Sequence, residues 1–281
     1  MGDTIILVEK QFDTGEVMLN YAEGPDNGPP FVILPAYYHG WQNYKSIIPT
    51  LKAQYHLYGV DARGRGKSGR TPGRYKLRHL VEDTVAFLNQ IVGEPSILFG
   101  HSNGGWISLW VANRIPEHVK AIIIGDAPLN IQGLIETAAT EEWREDGKRE
   151  REWSGKPVND LIKIFKDRNP DADIDLIMLM AETFSNVDPE ISKYWAEGGF
   201  DEFFEGFSAK DILEKLRIPL LVLQANPEMG MINHEDVEWA RTIMPELSHV
   251  YLGETNHWLG IRDKREHLFL NAITPFLESL R

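Results

Sequence analysis

Residues 96–119, SILFGHSNGGWISLWVANRIPEHV, hold a serine between two glycines where an apolar run gives way to a helical pattern. The run SILFG is continuous and apolar, as a strand buried on both faces requires, and GGWISLWVANRI has the spacing of an amphipathic helix. The pentapeptide Gly100-His101-Ser102-Asn103-Gly104 fits G-x-S-x-G, a pattern too short to mean much alone. The strand leading in and the helix leading out give it weight. A nucleophilic serine on such a turn takes a strained backbone conformation, so its neighbours two residues away must lack bulk. The free N–H groups and positive dipole end of the helix then face the reacting atoms. The competing interpretation is a Gly-rich strand–helix turn with a solvent-facing serine, and the rest of the chain must supply a base, an orienting acid and oxyanion donors to displace it.

Outward from this point, FVILP (31–35), YHLYGVD (55–61), AIIIGD (121–126), IPLLVLQ (218–224) and HVYLG (249–253) read as further strands. Helices are expected near 44–53, 79–92 and 103–114, with a last one through HLFLNAITPFLESL. Strand–helix alternation of this kind predicts an α/β fold: a mostly parallel central sheet with helices on both faces. From about Leu129 to Leu213 the strand pattern stops, and charged helical stretches with scattered aromatics replace it. The expected organisation is a core domain, 1–128 and 216–281, interrupted by a helical cap insertion at 129–215, longer than an ordinary loop.

The 281 residues carry a formal charge of −13 and no cysteine. The acidity makes nucleic acid and anionic membrane surfaces poor partners, and the missing cysteines exclude disulfides and a thiolate nucleophile. No metal-ligand spacing stands out, so neither metal nor cofactor is expected. The N-terminus lacks a signal-peptide pattern, and Ile6 spoils a myristoylation match, so a cytoplasmic location is expected. Oligomeric state is not legible.

Among nine histidines, His257 lies just after the last strand, at the sheet edge where open α/β sheets bind ligands. It is the expected general base.

These features together resemble the α/β-hydrolase fold over nearly the whole chain. Besides the serine turn, DARGRGKSG (61–69) resembles the loop after the fourth strand, PEHVKAIIIGDAPL (116–129) the segment around the sixth, and TNHWLG the catalytic histidine loop. The resemblance implies a Ser–His–acid triad with two candidate acids. Glu228 occupies the common slot after IPLLVLQ; Asp126 occupies the slot used by haloalkane dehalogenases and cofactor-free dioxygenases of this fold. Asp126 directly follows an apolar strand and is therefore the more sheltered, which favours it by a small margin. The family's usual His-Gly after the third strand is Pro35-Ala36 here. By position, the oxyanion donors are the backbone N–H groups of Tyr37 and Asn103. Tyr38, Trp41, His101, Trp153 and Trp195 are expected to contact substrate.

The expected activity is hydrolysis of a carboxylic ester or lactone of a hydrophobic small molecule through an acyl-enzyme. Alternatives in the same scaffold are cofactor-independent dioxygenation of a quinolone-type ring by His–Asp base chemistry, C–C bond hydrolysis, and ligand binding without turnover.

Overall fold

The computed structural model describes residues 7–281; the myristoylation reading and the first part of the signal-peptide reading fall outside that range. Eight strands build one sheet: β1 (Val8–Asp13), β2 (Met18–Glu23), β3 (Pro30–Leu34), β4 (His56–Val60), β5 (Ser96–His101), β6 (Val119–Gly125), β7 (Leu220–Ala225) and β8 (Ser248–Leu252). Their order is β1-β2-β4-β3-β5-β6-β7-β8. From β4 to β8 every neighbouring pair is parallel, whereas β1–β2 and β2–β4 are antiparallel.

The central strands are buried on both sides because their side chains alternate between two apolar layers. Val32, Leu34, Leu98, Ile122, Ile124 and Val222 enter one layer. Phe31, Ile33, Ile97, Phe99, Ile123, Leu221 and Leu223 enter the other, which the last helix, Glu266–Ser279, closes with Phe269, Ile273 and Leu277. At one edge β1 is exposed and charged, with Lys10 paired to Glu23 and Glu9 to Lys67, which discourages pairing with another strand.

Between β6 and β7 lie only helices, among them Ile131–Ala138, Glu141–Trp153, Val158–Arg168, Ile174–Ser185 and Ala209–Lys215. Aromatic contacts tie them to the sheet: the Tyr37 ring meets Trp195 and Phe203, and its hydroxyl donates to the Ile191 carbonyl at 2.8 Å. Among the described residues, no helix is long and apolar enough to cross a membrane. Strands β1 and β2 are additions to the sequence expectation.

Candidate active site

The parallel order places the C-terminal ends of β3, β5, β6, β7 and β8 side by side, and the candidate residues sit just beyond them. Ser102 leaves β5 with φ 51° and ψ −120°, and the helix Asn103–Arg114 starts at the next residue. Both flanking glycines are sterically required. A Cβ on Gly100 would lie 2.1 Å from the Gly104 carbonyl oxygen, and one on Gly104 would lie 1.9 Å from that of Leu34. The Ser102 N–H is fixed to the Gly125 carbonyl at 2.7 Å, which pins the turn to β6.

Asp126 follows β6, is fully buried and also has positive φ, at 45°. Its Oδ2 accepts from His257 Nδ1 at 2.7 Å and from the Met231 N–H at 2.8 Å. Its Oδ1 accepts from the N–H groups of Ala225 and Ile232 at 3.2 and 3.4 Å. The loop containing Glu228 therefore supplies backbone donors to Asp126, and its Met229 carbonyl takes the His257 N–H at 2.9 Å. Glu228 itself is exposed. A carboxylate accepting from Nδ1–H leaves Nε2 of a neutral imidazole as the free acceptor, the tautomer a general base needs.

A hydrogen-bonded chain behind the site joins three loops. The Ala36 N–H donates to the Tyr44 hydroxyl at 3.0 Å, and that hydroxyl donates to His101 Nδ1 at 2.8 Å. His101 Nε2–H then donates to the His257 carbonyl at 2.7 Å. Burial holds the His101 pKa well below the usual histidine range, with repulsion from His257 adding to it, so the ring stays neutral and the chain keeps this polarity. His101 is thus fully buried between the serine turn and the histidine loop, which corrects its expected place against substrate: its two nitrogens are already occupied.

The loop after β3 is held from the other side by Arg65, a buried guanidinium whose Nε donates to the Tyr37 carbonyl and whose Nη1 donates to that of Arg63 at 2.9 Å. Asp61, at the end of β4, accepts from the N–H groups of Trp41 and Lys67. Among the described residues, no backbone carbonyl accepts from the Tyr37 or Asn103 N–H.

Ser102 and His257 line one cavity of about 250 Å³. Tyr37, Tyr38, Trp106 and Trp258 form part of its wall, and the helical segment adds Trp143, Asp146, Glu150 and Trp195. Two expected contact residues lie elsewhere. Trp153 packs edge-on against Phe165 and Phe184, inside the helical segment. Trp41 covers Gly59, points its Nε1 at Glu9 and lines a larger polar cleft that shares no wall residue with the Ser102 cavity. Trp143 and Glu150 went unread in the sequence because EEWREDGKREREW looks like a solvated helix; their spacing, with Asp146, on one helical face is the signal that was available.

A model of the alpha/beta hydrolase fold family matches residues 29–262. The 2-(acetamidomethylene)succinate hydrolase of Mesorhizobium japonicum (strain MAFF 303099) is 21% identical over 97% of this chain and 96% of that protein. A crystal structure of E-2-(acetamidomethylene)succinate hydrolase superposes with a TM-score of 0.78 at 17% identity, covering 97% of this chain and 100% of that one. The 2-heptyl-3-hydroxy-4(1H)-quinolone dioxygenase of Mycobacteroides abscessus is 29% identical over 37% of this chain. That match spans 39% of the dioxygenase's own length, so about three fifths of it has no counterpart in the alignment.

Proposed function

Because this chain belongs to the alpha/beta hydrolase fold family, we propose that it is a serine hydrolase opening a carboxylic ester or lactone of a mainly apolar small molecule. One juxtaposition carries this reading: Ser102, on a strained turn at a helix N-terminus, shares a cavity with His257, whose Nδ1 is 2.7 Å from buried Asp126. His257 Nε2 takes the Ser102 proton as Oγ attacks the carbonyl carbon, and Asp126 steadies the imidazolium that results. The N–H groups of Tyr37 and Asn103 receive the developing oxyanion, an interaction for which each donor contributes about 3–4 kcal/mol. Collapse expels the alcohol, protonated by His257, and leaves an acyl-Ser102. Water activated by the same imidazole releases the acid. Segment 129–215 serves as a cap that excludes solvent during these steps.

A second reading is favoured by the dioxygenase relative: the same His257–Asp126 pair would deprotonate a hydroxyquinolone for reaction with oxygen. Incubating the protein with short-chain p-nitrophenyl esters, lactones and a 3-hydroxy-4-quinolone, in air and under argon, separates the two. Acid release from esters or lactones at equal rates in both atmospheres is the expected result. Oxygen uptake matching quinolone loss, with esters and lactones untouched, would overturn it.

A further inference from the structure

The wall of the Ser102 cavity is acidic where the helical segment meets it. Trp143, Asp146 and Glu150 stand at i, i+3 and i+7 on the helix Glu141–Trp153, so one face of that helix offers the cavity an indole and two carboxylates. Asp146 is neutralised by Arg149. Glu150 forms no ion pair with a lysine or arginine among the described residues, although the Arg149 charge acts on it from one position away, and the cavity wall holds no lysine or arginine. Two guanidiniums lie behind the wall rather than in it. Arg65 stacks on Tyr37 at 5.1 Å from its centroid, and Arg262 stacks on Trp258 at 4.1 Å, so each is screened by an aromatic ring.

Around Glu150 the surface is aromatic. Trp143 and Trp195 stack with centroids 4.7 Å apart, and Tyr38 and Trp106 complete the enclosure. The Tyr38 hydroxyl lies against the Glu150 carboxyl, and Trp195 Nε1 against the Tyr37 hydroxyl. Burial raises the Glu150 carboxyl to about 7, outweighing the opposing effects of the Tyr38 hydroxyl and the Arg149 charge. A carboxylate or phosphate on the substrate would meet repulsion here, and an alkyl chain would leave the acid without an ion partner inside the cavity. A compact organic cation answers both deficits, because aromatic faces attract it and the carboxylate neutralises it. The charge of −13 over the whole chain steers such a ligand inward.

We infer that Glu150, with the Trp143–Trp195 pair, is the specificity element of this site and selects substrates carrying an ammonium group next to the bond that Ser102 attacks. This rests on the hydrolase reading for the bond but not for the cation. It also sets the chain apart from a relative named for a succinate, a dianionic molecule.

Choline and 3,3-dimethylbutan-1-ol differ in one atom, nitrogen for carbon, and in the charge that follows. Their dissociation constants are read by quenching of tryptophan fluorescence and by inhibition of p-nitrophenyl acetate hydrolysis. The expected result is choline binding about tenfold or more tightly than the carbon isostere, a gap of about 1.4 kcal/mol. Glu150→Gln should bring the ratio near one, and Glu150→Asp should restore a preference for the cation. A ratio near one in the unaltered protein, or one unmoved by Glu150→Gln in a variant that still binds either alcohol, would overturn the inference. Ester hydrolysis without cation preference sinks this inference and spares the hydrolase reading. Cation preference without hydrolysis does the reverse.

Discussion

Replacing Asp126 with asparagine probes the site at the point where two carboxylates competed in the sequence. Asparagine tolerates the positive φ of 45° at this position, so the backbone can stay as it is. Both carboxylate oxygens are engaged, which makes the change costly in either orientation. With the amide NH2 in the Oδ2 position, it faces the Met231 N–H and can only donate to His257 Nδ1, which puts the imidazole proton on the wrong nitrogen. With the NH2 in the Oδ1 position it faces the N–H groups of Ala225 and Ile232, and a neutral carbonyl is left to support the imidazolium. Loss of the orienting charge costs about 10³–10⁴-fold in kcat, or about 4–5.5 kcal/mol in barrier height. Opposed donors add a stability loss of about 1–3 kcal/mol. The assay is kcat/KM for p-nitrophenyl butyrate, with urea denaturation alongside and Glu228→Gln as the comparison. Glu228→Gln should stay within about twofold of the unaltered enzyme, because an exposed side chain away from the site contributes little. The reasoning is refuted if Asp126→Asn keeps a tenth or more of the activity, or if Glu228→Gln loses as much.

Three further outcomes are expected. Ser102→Gly should abolish hydrolysis yet raise stability by about 1–3 kcal/mol in urea melts, because glycine relieves the strain at φ 51°, ψ −120°, whereas Ser102→Ala should not gain as much. Tyr44→Phe removes the hydroxyl shared by the Ala36 N–H and His101, leaving two buried polar groups unpartnered. It should cost about 1–3 kcal/mol for each of them and lower kcat more than it raises KM. Glu150→Gln should flatten the fall of stability between pH 5 and 8. The folded carboxyl, raised to about 7 from 4.5, holds a proton that the unfolded chain has already lost, so stability drops as pH rises through that window, by roughly 2–3 kcal/mol in total. Denaturation midpoints of both proteins across the range provide the check.

Much of the fold could be read from residue pattern because β3 and β5 to β7 are buried on both faces and so appear as continuous apolar runs. β1 and β2 were not read: VEKQFD lies exposed at the sheet edge, and MLNYAE mixes polar and apolar residues. The serine turn was legible because its glycines answer a local steric demand. Asp126 and Glu228 could not be separated with certainty in the sequence, since the choice depends on how the loop 226–232 folds. It turns its N–H groups onto Asp126 and leaves Glu228 in solvent. The same limit applies to aromatic residues. Nothing in the sequence distinguishes Trp195, at the cavity wall, from Trp153, inside the helical packing. His101 shows the opposite case, where a polar residue beside the nucleophile suggested substrate contact and serves instead as a buried link between loops.

Ser102 Oγ acts as the nucleophile and carries the acyl group of the covalent intermediate, and trapping that intermediate tests this most directly. The protein is mixed with excess p-nitrophenyl acetate, quenched in acid within the first turnover and digested, and the peptide spanning residues 96–114 is weighed. One acetyl group on Ser102, absent from the Ser102→Ala protein and strongly reduced by His257→Ala, is the expected result. Ester turnover with that peptide unmodified, or an acetyl group on another residue with Ser102→Ala fully active, would contradict it.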